Sequence, residues 1–277
     1  MTAGADPETK ILWTVVMILI PVVALAGGWF FRPIWGWLTV MALMLVFIVV
    51  AGRQIVRLWR GALIDDRNKI SLSRFQTVLW TVLVISAFLV TALHNIRTKQ
   101  ADPLKIDVPP ELWILLGISV TSLVGSGLIK QEKSKSVPQP DSARLAFKAR
   151  GVEPEQLVRA GNQLVAATDP AAATPTGTVL AKGVLVVNDA PDKSSWLDMF
   201  RSEEIGAMGR LDLGKIQMFY FTIIIVFSYA VALGSMFVNT PGKITAFPAI
   251  SQSVIALLGI SHAAYLTNKT VSRTPTT

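Results

Sequence analysis

Residues 34–52 read IWGWLTVMALMLVFIVVAG, and the next stretch, 53–74, carries Arg53, Arg57, Arg60, Arg67, Lys69 and Arg74 against Asp65 and Asp66. A helix needs about 20 apolar residues to cross a hydrocarbon core of about 30 Å, because each residue rises about 1.5 Å. Residues 34–52 meet that requirement, and so do 11–31, 75–93, 112–129, 216–238 and 247–267. None of these six segments contains Asp, Glu, Lys or Arg, so all 44 formal charges lie outside them. The expected fold is an all-α polytopic membrane protein with six transmembrane helices.

Composition agrees. Of 277 residues, 52% are apolar and 16% charged, with a mean hydropathy of +0.51, whereas a soluble chain carries about 25% charged residues. That excludes a disordered chain and argues against a soluble enzyme. With no cysteine and two histidines, there is no disulfide framework, and no metal site or cofactor is expected. Ala24-Leu25-Ala26 ends an apolar run as a secretory signal does. Asp6 and Glu8 beside Lys10, and the continuation to Phe31, point instead to a retained helix.

Lys and Arg concentrate on the cytoplasmic side of membrane proteins. The loops at 32–33, 94–111 and 239–246 hold five basic residues, while the alternate loops and both termini hold the other 21. Both termini and the 130–215 segment are therefore expected in the cytoplasm, and the plasma (inner) membrane is the expected location. Trp29, Trp35, Trp37 and Trp113 fall at outer-interface depth and Trp13 and Trp59 at inner depth, as interfacial tryptophans do.

The chain resembles itself. At a shift of 141, Leu72-Ser73-Arg74-Phe75-Gln76 aligns with Leu213-Gly214-Lys215-Ile216-Gln217, and at 142, Leu115-Leu116-Gly117-Ile118-Ser119 recurs as Leu257-Leu258-Gly259-Ile260-Ser261. Each copy contains two spans, so the repeats are parallel, and their pseudo-twofold axis is expected along the membrane normal. The resulting division is an N-terminal transmembrane hairpin (1–62), a first repeat hairpin (63–130), a small cytosolic α+β insertion with an interfacial helix (131–212), and a second repeat hairpin with a tail (213–277).

Small and hydroxylated residues gather in the second helix of each hairpin. Gly117, Thr121 and Gly125, with Gly259 and Ala263, read as helix-packing positions, because small residues let backbones approach in lipid. Thr77, Thr81, Thr91, Asn95, Ser119, Ser122, Ser126 and His262 are the candidates for lining a pore or contacting a substrate, since hydroxyls can line a narrow path without a formal charge. His262 either packs on a neighbouring helix or forms a pH-sensitive gate. Arg53, Arg57, Arg60, Arg74 and Lys215 are expected at lipid headgroups, with Gln76 and Gln217 marking the inner ends of the leading helices. The lack of intramembrane acids disfavours proton coupling.

In the insertion, Lys130 to Lys135 followed by Pro138 and Pro140 reads as a solvated linker. Residues 153–167 read as an amphipathic helix, 169–177 as a linker, Thr178–Leu180 and Gly183–Val187 as a hairpin, and Ser195 to Asp198 as a capping box opening an interfacial helix. The segment has no phosphate-binding glycine loop, metal-ligand set or nucleophile with a base, and no enzymatic activity is expected. The net charge of +8 follows from the positive-inside bias and does not call for nucleic acid. Two readings remain. One is a channel or transport-type protein, homo-oligomeric, with the duplicated hairpins as its bundle. The other is a non-conducting scaffold or signalling anchor that presents residues 131–212 to a cytosolic protein partner. The lipid bilayer is a partner in both.

Overall fold

The computed structural model describes residues 7–149, 151–171, 177–240 and 242–277. Residues 172–176, inside the expected 169–177 linker, lie outside the described residues. The chain is mostly helical, with helices α1 (Pro7–Phe30), α2 (Pro33–Val56), α3 (Leu72–Arg97), α4 (Pro110–Lys135), α5 (Pro140–Lys148), α6 (Leu213–Asn239) and α7 (Gln252–Thr270). It divides into two compact units. The first comprises Met1–Ala62, Gln76–Gly117 and Phe221–Leu257, and the second Leu63–Phe75, Ile118–Tyr220 and Leu258–Thr277.

Five helices, α1 to α4 and α6, are long and apolar enough to cross a membrane. All five extend beyond their uncharged segments, so charged residues occupy their end turns. Pro33 starts α2, where a missing N–H costs nothing, and Arg57 ends it in the left-handed conformation (φ 65°) with its N–H bonded to the Arg53 carbonyl at 2.9 Å.

The expected sixth span, 247–267, begins later and is more polar than its sequence run suggested. Residues 243–248 are extended: Asp107 N donates to Thr245 O at 2.7 Å and Phe247 N to Asp107 O at 2.9 Å. Pro248, without an N–H, accepts from the Tyr229 hydroxyl at 3.0 Å. Helix α7 therefore has 19 residues, among them Gln252, Ser261, His262, Asn268 and Lys269.

In the first unit α1 packs on α2 through glycine. A Cβ on Gly36 would stand 3.3 Å from the Gly27 carbonyl and 3.4 Å from Gly28 Cα, so any side chain there would press the two backbones apart by a few tenths of an ångström. Trp37 is buried there, donating to Ser86 Oγ at 3.0 Å and tilting against Phe237 at 5.4 Å.

The second unit contains a four-stranded antiparallel meander, β1 (Leu157–Ala160), β2 (Gln163–Ala167), β3 (Gly177–Lys182) and β4 (Leu185–Val186). The helix expected over 153–167 is instead the β1–β2 hairpin. Its turn is Gly161-Asn162, with Gly161 at φ 60°, a pair that suits a two-residue hairpin turn. The apolar spacing imitated a helical stripe because a register shift between Leu164 and Val165 buries two successive side chains. The hairpin expected about Lys182-Gly183 forms with its turn one residue later, at Gly183-Val184, where Gly183 has φ 57° and Lys182 pairs with Leu185.

Helix α5 lies just beyond the expected linker and buries Ala143 and Phe147, one turn apart, against Leu164, Ala181, Val186 and Ile205. The capping box at Ser195 exists: Ser195 N donates to Asp198 at 2.7 Å and Leu197 N to Ser195 Oγ at 3.3 Å. It opens only a single tight turn, Trp196–Met199, and not an interfacial helix.

Candidate functional site

The loop 63–71 folds back through a bridge between Ile64 and Ile70, and Asn68 adopts φ 56° at its tip. This turn presents Asp65. Its Oδ1 accepts the backbone N–H groups of Arg67 (3.0 Å) and Lys69 (3.3 Å), leaving Oδ2 for Arg67 Nη2 (2.8 Å), Arg67 Nε (3.1 Å) and Lys130 Nζ (2.7 Å). Arg67 reaches onward to Glu203 at 3.3 Å.

Glu203 is the hub of the second unit. Its carboxylate also takes Lys215, in the first turn of α6, at 3.1 Å and Lys269, in the last turn of α7, at 2.7 Å. Lys269 further donates to Ser126 Oγ at 2.6 Å and to the Tyr265 hydroxyl at 3.0 Å. Next in sequence, Glu204 binds Lys133 through one oxygen, and through the other it accepts the backbone N–H groups of Arg273 (2.6 Å) and Thr274 (2.9 Å). Lys133 also donates to the carbonyls of Lys269 and Val271.

These side chains are buried, and buried charges persist only when paired. Burial opposes ionisation of Asp65, but Arg67 and Lys130 outweigh it and hold its carboxyl well below the usual carboxylate range. Burial is likewise overcome at Glu203 by Arg67, Lys215, Lys269 and Lys130. Arg67, desolvated yet facing Glu203 and Asp65, is held more firmly protonated than a free guanidinium. The cluster pairs five cations (Arg67, Lys130, Lys133, Lys215, Lys269) with three carboxylates (Asp65, Glu203, Glu204).

This overturns two expectations. Lys130 and Lys133 are not in a solvated linker: α4 continues through them, and both are buried and paired. Lys215 is not at a lipid headgroup, because it is 4% exposed and donates to Glu203 and to the Arg201 carbonyl at 2.9 Å. Of the other headgroup candidates, Arg57 is exposed while Arg60 and Arg74 are half-buried. Arg53 stands 4.1 Å over the Trp59 ring, a cation–π arrangement.

The pore-lining candidates are mostly enclosed. Thr91, Asn95, Ser119, Ser122, Ser126 and His262 are buried, and Thr77 and Thr81 are half-buried. Asn95 clamps backbone, donating to the carbonyls of Ile244 (2.9 Å) and Pro103 (3.2 Å) while accepting from Ile244 N at 3.0 Å. The hydroxyls of Thr91 and Ser122 and the Nδ1 of His262 are buried without a partner. Among the packing candidates, Gly125 faces Leu266 and Gly259 faces Ile118. Gly117 has open space where a Cβ would stand, and Thr121 and Ala263 are exposed, so these three do not pack against the described chain.

No protein-family model, curated protein or solved structure matches this chain.

Its chemistry therefore rests on its own geometry. Among the described residues no group of His, Asp and Glu could hold a metal ion. Asp65, Arg67, Lys130, Lys133, Glu203, Glu204 and Lys269 were not marked by any local motif, since each pairs with a residue remote in sequence. One signal was available: the acids of 63–71 and 203–204 sit in segments that precede apolar helices, where they meet the cations that end others.

Proposed function

We propose that this chain is a non-conducting multi-pass membrane scaffold that holds residues 131–212 rigidly at the ends of its helices for a protein partner. Five apolar helices are compatible with an integral membrane protein. The observation that carries the reading is the network around Glu203 and Glu204. It fastens the insertion to the ends of α4, α6 and α7 by ion pairs, where a flexible tether would leave those lysines in water. A rigid mount positions a binding surface and transmits movement of the helices to it. Burial of Ser119, Ser122, Ser126, Thr91 and Asn95 supports the scaffold over a hydroxyl-lined conduction path.

In the same reading α7 is a sixth span, 63–130 and 213–277 are parallel copies of one hairpin, 1–62 is a hairpin outside that symmetry, and the protein assembles as a homo-oligomer in the plasma membrane. Both termini and the insertion face the cytoplasm, a reading that the distribution of Lys and Arg supports. The protein is not an enzyme.

Reconstitution into liposomes tests this. The scaffold predicts no ion flux under varied pH, voltage and tension, and loss of partner capture when 136–200 are deleted with insertion intact. Reproducible flux abolished by substituting Ser122 or Thr91 would replace the scaffold with a channel.

A further inference from the structure

The segment that carries Glu203 also shapes a groove outside the ion cluster. Residues 200–202 and 210–212 pair in a short antiparallel ladder: Asp212 N donates to Phe200 O at 2.8 Å and Ser202 N to Arg210 O at 3.0 Å, with Arg201 opposite Leu211. Arg201 and Leu211 line the groove together with Leu197, Phe200, Ile216 and Phe219. Its volume is about 560 Å³, in the range of about 300–1,000 Å³ that small-molecule sites occupy. Phe200 and Phe219 meet edge to face in its wall at 5.2 Å, and Gly209, at φ 85°, contributes no side chain to it.

Two observations say what fills it. The first is position. Ile216 and Phe219 belong to the early turns of α6, where the uncharged run 216–238 begins. On the reading of α6 as a membrane span, on which this inference rests, the groove opens where headgroups meet hydrocarbon. The surroundings suit that depth: Trp196, Leu197, Leu211, Leu213 and Tyr220 are all exposed, an apolar surface of the kind that marks a membrane contact, with aromatic residues of the interfacial type. The second is charge. Arg201 is the one charged residue in the wall. Glu203 is taken by Arg67, Lys215 and Lys269, and Asp212 Oδ1 accepts Lys215 N at 3.3 Å. The Arg201 guanidinium, half-buried, has no hydrogen bond or ion pair among the described residues.

We propose that this groove holds one anionic phospholipid of the leaflet in which α6 begins. An acyl chain lies against Phe200, Leu211, Ile216 and Phe219, and Arg201 meets the phosphate, for which a planar guanidinium is well suited. A zwitterionic lipid fits less well, because its own cation would find no acid in the wall. The site does not depend on whether the protein conducts or captures a partner.

The test is native mass spectrometry of the full, delipidated chain in detergent, titrated with phosphatidylglycerol or phosphatidylcholine of equal chain length. The first phosphatidylglycerol is expected to bind about ten-fold more tightly than phosphatidylcholine, the worth of one charge-assisted contact. Arg201→Gln should erase that preference; the backbone carbonyl that receives Lys215 is untouched by it. Arg210→Gln, at an exposed residue outside the groove wall, should leave the preference intact. The double variant Leu197→Ser, Leu211→Ser, at two exposed positions, should weaken both lipids. Equal affinities in the native chain, a preference that survives Arg201→Gln, one lost equally in Arg210→Gln, or unchanged binding in the double variant overturns the site. A dimer that excludes lipid in the same spectra assigns the groove to a second copy and overturns it as well. Carbonate extraction of membranes carrying the chain separates two failures. Release into the supernatant removes the membrane span itself, whereas a retained chain without lipid preference removes only the site.

Discussion

Glu203 and Lys269 stand 2.7 Å apart across 66 residues of sequence, and the same carboxylate is shared by Arg67 and Lys215. One acidic side chain thus neutralises cations from a loop, a helix start and a helix end. Glu203→Gln keeps the shape and removes the charge, leaving three buried cations facing a neutral amide. Removing one partner of a buried pair costs about 3–5 kcal/mol. Chemical denaturation of the variant should show a loss of that order, while Lys135→Gln, at an exposed pair with Glu132, should change stability by less than about 1 kcal/mol.

The pH dependence follows from the same carboxylates. Asp65 and Glu203 have folded-state pKa values below their unfolded ones, near 4 for free carboxylates. As pH falls the unfolded chain therefore takes up protons first, so their stabilisation is complete above the unfolded pKa and is lost as pH falls toward the folded values. Unfolding midpoints should owe no slope to these groups from about pH 8 to about pH 5 and should drop below about pH 4. In Glu203→Gln the acid-side drop should be shallower; an identical profile would show that Glu203 is not ionised in the cluster.

Asn95 is wholly buried and satisfies both backbone groups of Ile244. Asn95→Leu fills similar space but takes the partner from the Ile244 N–H and from the carbonyls of Ile244 and Pro103, at a cost of about 1–3 kcal/mol. Because these bonds hold the extended 243–248 segment, the variant should also be cut faster by protease near residue 245, with the rest of the chain protected.

The absence of native cysteine makes topology simple to map. Arg159→Cys, Pro275→Cys and Lys105→Cys place single thiols at exposed positions. With the orientation proposed here, the first two label from the cytoplasmic side and the third only from the other. Opposite sidedness for residues 159 and 275 would remove the shared-face arrangement.

What the sequence disclosed was set by range. Spans α1 to α4 and α6 were visible because an uncharged run is a local property that no distant partner alters. The β3–β4 hairpin, misplaced by a single residue, was equally local. The β1–β2 hairpin was misread because the bulge at Leu164 and Val165 gave its apolar residues a helical spacing, while the Gly161-Asn162 turn carried the correct signal. Lys130 and Lys133 misled for another reason: a lysine looks solvated until its carboxylate is known, and Asp65 and Glu204 lie 65 and 71 residues away. The hydroxyls of α3 and α4 were recognised as special, but periodicity alone does not separate a wetted face from an enclosed one.

The spacing of the cluster along the chain also orders its biogenesis. Asp65 and Arg67 leave the ribosome as a nascent pair, Lys130 joins them 65 residues later, and Glu203 follows 136 residues after Arg67. Lys269 emerges after all of these. A chain halted before that point holds Glu203 without one of the cations that neutralise it in the finished fold.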